Sequence, residues 1–222
     1  MAREVSGAAH VAPGGTVADI ARRHDPSAFT ASLARRDTLD LPFDAAVMPS
    51  GLPVMLDTNF YIERQRRKLP TDVAAFVENR TVLHSGVACA ELAISAGILN
   101  PAHPGTAQNR AAIMEVLEAI SDTEIVQPSA AAWAEAGMIA GILARTQHLA
   151  KPKKALSPVE ACCQEGLRRK LINDALLFLS ACEQGAILVS MNSRDMALLL
   201  RFRPEAHVLL FKPAEVLVPL DR

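Results

Sequence analysis

Acidic side chains in four separate parts of the chain sit where chemistry is done. Val54-Met55-Leu56 is a short apolar run followed at once by Asp57-Thr58-Asn59, which reads as a buried strand that stops where polar side chains emerge. Val82-Leu83-His84-Ser85 repeats the pattern, and the helix-like segment after it, Val87 to Ala93, carries Glu91 among small and apolar neighbours. Asn173-Asp174 stands directly before the apolar run Ala175 to Cys182, which places Asp174 at or near a helix start, where capping and the helix dipole favour a carboxylate. Ala186 to Ser190 reads as one more buried strand, and Met191-Asn192-Ser193-Arg194-Asp195 follows its end. In an open α/β sheet ligands bind beyond the carboxyl ends of the strands, so acids at these positions face chemistry rather than the core.

In this order and spacing the motifs resemble a PIN-domain nuclease, most closely the ribonuclease toxins of VapC type. The resemblance rests on Leu56-Asp57-Thr58-Asn59, on Ser85 followed by Glu91-Leu92, on Asn173-Asp174-Ala175, and on Ser190 to Asp195. Ser190 stands where the family usually has threonine, and Met196 where it usually has an aromatic residue; neither departure removes a carboxylate. The interval from Glu91 to Asp174 is longer than in compact members.

The resemblance implies a three-layer α/β/α domain with a parallel central sheet, a fold class to which the alternation of strands and helices also points. It implies Asp57, Glu91 and Asp174 as catalytic acids and metal ligands, with Asp195 the fourth, or Asn192 in its place while Asp195 orients a neighbour. Thr58, Asn59 and Ser190 are candidates to orient a carboxylate or a water, although Asn59 also suits a plain helix cap. Magnesium and manganese prefer oxygen ligands, and crowded carboxylates repel one another until a cation relieves them. Such an ion lowers the pKa of a bound water and polarises a phosphate; one or two ions are both open. The expected function is a Mg2+- or Mn2+-dependent endoribonuclease, with RNA as substrate, a cognate antitoxin as partner and a homodimer as a possible assembly. The alternatives are a nuclease acting on DNA or in RNA processing, and a PIN-like binding module without catalysis.

Other chemistries fit less well. A phosphatase of the haloacid-dehalogenase type wants a second aspartate two residues after the first, and Asn59 stands there. There is no Gly-x-x-x-x-Gly-Lys segment or Gly-x-Gly-x-x-Gly turn for a nucleotide. The net charge of -1 gives no global signal for a polyanion, so any nucleic-acid contact must be local. Two basic runs are candidates: Arg64, Arg66, Arg67 and Lys68, expected between strand and helix, and Arg168-Arg169-Lys170 just before Asp174.

The positioning elements follow from patterning. The 222 residues, 50% hydrophobic, suffice for one good core. Residues 53–222 are expected to form the catalytic domain and 1–52 a partly ordered extension, with helices at Thr16–His24 and Pro26–Arg36 and an extended connector after them. Pro70-Thr71 starts a helix with Val73, Phe76 and Val77 on one face. Thr106–Ser121 is helical, with Ile113, Val116, Leu117 and Ile120 at core spacing. Ser129 caps a long segment reaching about His148, with Trp133, Gly137, Ile139 and Leu143 expected to pack, Trp133 in the core or at a dimer contact. Lys151–Lys154 reads as a loop, Ser157-Pro158-Val159-Glu160 as a capping box, and His207–Phe211 as a last strand. Cys89, Cys162, Cys163 and Cys182 form no Cys-x-x-Cys pair and do not indicate zinc. The start lacks the apolar stretch of a signal peptide, and no apolar run approaches the roughly 18 residues of a membrane helix, so a cytoplasmic protein with reduced thiols and no membrane contact is expected.

Overall fold

The computed structural model describes residues 16–150 and 167–214. The expected loop at Lys151–Lys154, the capping box at Ser157 and the cysteines at 162 and 163 lie outside them. Five strands form one sheet: β1 Val54–Leu56, β2 Val82–Ser85, β3 Ile125–Val126, β4 Ile187–Ser190 and β5 Val208–Leu210. All pairings are parallel, in the order β3-β2-β1-β4-β5. Every residue of β1, β4 and β5 is buried, which is why these strands read as unbroken apolar runs rather than as alternation. The register sets Val54 beside Val82 and Ile187, and Leu56 beside Val189, so the first and fourth strands end at the same level. Helices flank the sheet, giving the expected α/β class.

Helices α2 (Thr58–Gln65), α3 (Thr71–Glu78), α4 (Gly86–Gly97) and α5 (Thr106–Glu118) follow the first strands. Val73, Phe76 and Val77 of α3 are buried as their spacing requires. Ile113, Val116 and Leu117 of α5 pack against the core. Helix α6, Ala130–Ala150, begins at Ser129, whose hydroxyl accepts from the backbone of Ala132. Ile139 and Leu143 are buried on it, whereas Trp133 is 54% exposed. The expectation of a core tryptophan is thus corrected: the helix is so rich in small residues that several faces satisfy the packing rule, and Ala132 and Ala136 take the inward positions.

Helix α7, Leu167–Glu183, packs along α6 and ends in a Schellman motif. Gly185 has φ +57°, its N–H donates to Cys182 O, and that of Ala186 donates to Ala181 O, which satisfies the last carbonyls and turns the chain into β4. Helix α8, Ser193–Leu199, leads back to β5.

The N-terminal segment lies on this framework. Helix α1, Val17–Arg23, opens with a capping box between Thr16 and Asp19 and buries Ile20 against α6. The helix expected over Pro26–Arg36 is only a 3-10 turn, Pro26–Ala28. Its groups bond instead to distant partners: Leu33 O accepts from Gln147 at 3.1 Å and Arg35 O from Arg201 at 3.5 Å. Further on, Pro42 O accepts from Leu210 N at 2.8 Å, so the connector covers the edge of β5.

A buried ion network fastens α1 down. Glu135 of α6, 3% exposed, accepts from Arg203 Nε at 3.1 Å and Nη2 at 2.7 Å, meets His24 Nε2 at 2.8 Å, and accepts from Arg23 Nη1 at 3.4 Å. Burial pushes this carboxyl up, but the bonds and charges of His24 and Arg203 outweigh it and hold the pKa at about 2.

Candidate active site

The strand order reverses between β1 and β4, the topological switch point where a crevice opens beyond the strand ends. Asp57 emerges there from β1 as the N-cap residue of α2, yet its side chain makes no capping bond. Its carboxylate instead accepts from Ser190 Oγ at the end of β4 and from Asn59 Nδ2 at 2.6 Å. Asn59 therefore does not cap the helix; its Oδ1 accepts from Met191 N at 2.9 Å, tying the start of α2 to the loop after β4. Burial raises the Asp57 pKa, the bonds from Ser190 and Asn59 oppose that rise, and the charge of Glu91 adds to it.

Glu91 reaches the same edge from α4. It accepts from Thr58 Oγ1 at 2.7 Å and from Asn173 Nδ2 at 2.9 Å. Each of these donors is the chain neighbour of a candidate acid, Thr58 of Asp57 and Asn173 of Asp174. Asn173 was not singled out for a role from sequence, and the signal was its position beside an acid on an apolar helix.

Asp174 corrects one expectation. It lies well inside α7, which begins at Leu167, so neither a cap nor the helix dipole stabilises its charge. The polar Arg168-Arg169-Lys170 turn precedes it in the same helix, and packing along α6 extends the helix past the local capping signal. Asp174 Oδ1 accepts from Asn192 Nδ2 at 3.3 Å, while Oδ2 is buried with no hydrogen-bond partner. Burial is the largest influence on it, followed by the charge of Asp195, opposed by Lys170, with Asp57 and Glu91 adding to the rise; its pKa is pushed up to about 7.

Asp195 and Asn192 both take part. Asn192 caps α8, its Oδ1 accepting from Asp195 N at 3.3 Å, and so connects the two acids. Lys170 Nζ pairs with Asp195 and stands 3.7 Å from Asp174 Oδ2. Burial lowers the Lys170 pKa, but the two aspartates raise it more, against the opposing charge of Arg194.

The four acids are thus electrostatic neighbours, linked through Thr58, Asn59, Asn173, Ser190 and Asn192. Each is nonetheless turned toward its own donors. Among the described residues no group of three His, Cys, Asp or Glu side chains is gathered closely enough to hold a metal ion. Repulsion between like charges, which adds to the effect of burial on Asp57 and Asp174, opposes a closer approach. The donor types, carboxylate oxygens of which one is buried without a hydrogen bond, suit a hard divalent cation.

The two basic runs are placed differently. Glu63, Arg64 and Gln65 belong to α2 rather than to a link between strand and helix, and Arg66 pairs with Glu63 at 3.1 Å. At about 1.5 Å per residue, α2 carries Arg64 roughly 10 Å along its axis from Asp57, and Arg67 and Lys68 lie beyond its end, where Lys68 N bonds back to Glu63 O. Lys170 reaches the acids themselves, and Arg169 is exposed on the same turn.

No protein-family profile matches this chain, and no curated protein matches it. Among solved structures it is similar to one described as the crystal structure of VapBC2 from Rickettsia felis bound to a DNA fragment from their promoter. The two share 18% identity with a TM-score of 0.41, over 72% of this chain and 100% of that one. At that distance the likeness assigns neither family nor activity. Among the described residues no helix is long and apolar enough to cross a membrane.

Proposed function

We propose that the protein is a divalent-metal-dependent endoribonuclease, the toxin half of a toxin-antitoxin pair. The observation that carries this reading is Asp174 Oδ2, buried without a hydrogen bond and with only the Lys170 ammonium 3.7 Å away, in the neighbourhood of three further acids at the switch point. A buried carboxylate oxygen without a hydrogen bond costs stability, and carboxyls such as Asp57 and Asp174, whose pKa values burial and neighbouring acids raise in a crevice, mark functional sites more often than structural ones. Asp57, Glu91 and Asp174 would hold magnesium or manganese, with Asp195 or Asn192 completing the set. When bound, the ion would supply a water of lowered pKa and a polarised phosphate.

The protein side of the chemistry follows from the hydrogen bonds. Ser190 and Asn59 fix one Asp57 oxygen and leave the other for a ligand or water. Thr58 and Asn173 hold Glu91 by both oxygens and so fix its rotamer. Lys170 offsets the charge of Asp174 and Asp195, which lowers the repulsion that an incoming phosphodiester meets.

A second reading, a PIN-like module that binds nucleic acid without cutting it, is favoured by the spacing of the acids, none of which forms a ligating group of three. One experiment separates the two. Wild type, Asp57→Asn and Asp174→Asn are compared on structured RNA with magnesium and with a chelator. Loss of a ligand should lower the rate on the order of 100-fold or more, since disrupting even outer partners costs about 10- to 100-fold. Folded variants that cut as well as wild type would end the nuclease reading. The toxin reading requires that expression without a partner arrests growth, and that Asp57→Asn relieves the arrest.

A further inference from the structure

The acidic crevice poses a problem for any polyanion. Four carboxylates repel a phosphodiester, and the chain's net charge of -1 provides no overall steering. Positive charge has to be arranged locally, and the N-terminal segment supplies it where it crosses α8. Arg35 Nε donates to Arg194 O at 3.2 Å, Arg201 Nη2 to Arg35 O at 3.5 Å, and Arg36 Nη2 to Leu200 O at 3.0 Å. These bonds all end on carbonyls, and among the described residues none of Arg35, Arg36, Arg194 and Arg201 pairs with a carboxylate. Carbonyls fix the geometry of a guanidinium and leave its charge uncompensated. Arg35, Arg194 and Arg201 are also exposed. The row continues to the site, since Arg194 is the chain neighbour of Asp195, which pairs with Lys170 beside Asp174.

We propose that Arg35, Arg194 and Arg201 form a track for the phosphate backbone of a single-stranded nucleic acid, RNA if the nuclease reading holds, leading from the carboxylates across α8 to the N-terminal segment. The inference rests on that reading for the identity of the strand but not for the binding. Guanidinium forks suit phosphate oxygens. Among the described residues none of these arginines stacks on an aromatic ring, so the track is assigned to the backbone rather than to the bases. An acidic protein segment would also be attracted. A phosphodiester is favoured because the row ends at acids that could act on one.

The test is binding of a short labelled single-stranded oligoribonucleotide to the full chain in chelator, across a series of salt concentrations. Arg35→Ala/Arg194→Ala/Arg201→Ala is compared with the matching triple lysine variant. Each single-strand phosphate contact contributes about 0.7 to the slope of log affinity against log salt. The alanine triple should therefore flatten the slope by about 2 and the lysine triple should largely keep it. An unchanged slope in the alanine triple overturns the track, as does a glutamate-rich peptide that competes as well as RNA. Arg35 and Arg201 also hold the segment in place, so Arg194→Glu serves as a second variant and should weaken binding several-fold with an unchanged melting temperature. If wild type binds with the expected slope yet cleaves nothing in magnesium or manganese, the nuclease reading fails and the track stands.

Discussion

Ser190 and Asp57 are 133 positions apart in the chain, yet the hydroxyl of one donates to the carboxylate of the other across adjacent strand ends. The parallel register that sets Leu56 beside Val189 makes this bond possible, and it places an acid and its positioning donor at the point where the sheet reverses direction. Ser190→Ala should leave Asp57 with Asn59 as its side-chain donor and raise the carboxyl's pKa further, because one of the influences holding it down is gone. On the proposed nuclease reading, cleavage should fall about 10- to 100-fold, with the acidic limb of the pH-rate profile moved to higher pH. A variant with lowered rate and an unmoved profile would assign Ser190 to packing alone.

Asp174 makes a metal prediction with a defined sign. Its pKa is about 7 in the folded protein against 3.8 ordinarily, so between roughly pH 4 and 7 the folded state keeps a proton that the unfolded chain has released. Stability falls as pH rises through that window, because there the folded state binds more protons than the unfolded one. A divalent cation competes with that proton. Magnesium or manganese should raise the melting temperature little at pH 5.5 and clearly at pH 8, with a gain of about 2.7 kcal/mol at a hundred times its dissociation constant. Asp174→Asn should lose the pH-dependent part of the gain. Equal shifts at both pH values, measured by differential scanning fluorimetry, would place the ion elsewhere.

Four of the five strands and the order of the acids could be read from the sequence, because strands buried on both faces appear as unbroken apolar runs, and Asp57 and Ser190 end two of them; β3, two half-buried residues long, left no such run. The helix around Asp174 could not, since Asn173-Asp174 before an apolar run imitates a start, and only packing along α6 reveals a start at Leu167. The Pro26–Arg36 segment misled for the converse reason: its sequence permits a helix, but its carbonyls are taken by Gln147 and Arg201. The donors to Glu91, Thr58 and Asn173, lie 33 and 82 positions from it, and local patterning carries no record of such pairings.

Trp133 offers an inexpensive check on the face that α6 presents. It is the single tryptophan and is 54% exposed, so its emission should lie close to that of tryptophan in water and be readily quenched by acrylamide. Trp133→Ala should change stability within about 0.5 kcal/mol, the usual range for surface positions away from special features. Blue-shifted, protected emission that turns red on dilution would instead mean a second copy of the chain on that face.

The last prediction concerns what fastens the N-terminal segment, and hence Arg35, to the domain. Glu135 has a pKa of about 2 in place of 4.5, so its contribution is complete above about pH 4.5 and is lost as pH falls toward 2. Its 3% exposure leaves little solvent screening, and a shift of this size corresponds to on the order of 3 kcal/mol through linkage. Urea unfolding of wild type should weaken between pH 5 and pH 3. Glu135→Gln should be weaker than wild type at pH 7, because Arg203 loses its buried counter-charge, and should change much less over the acid range. Since α1 is held through His24 and Arg23, the same substitution should also increase proteolysis within residues 16–36 before the domain unfolds. If Glu135→Gln keeps the wild-type acid sensitivity, some other carboxylate controls it and the ion network is not what fastens α1.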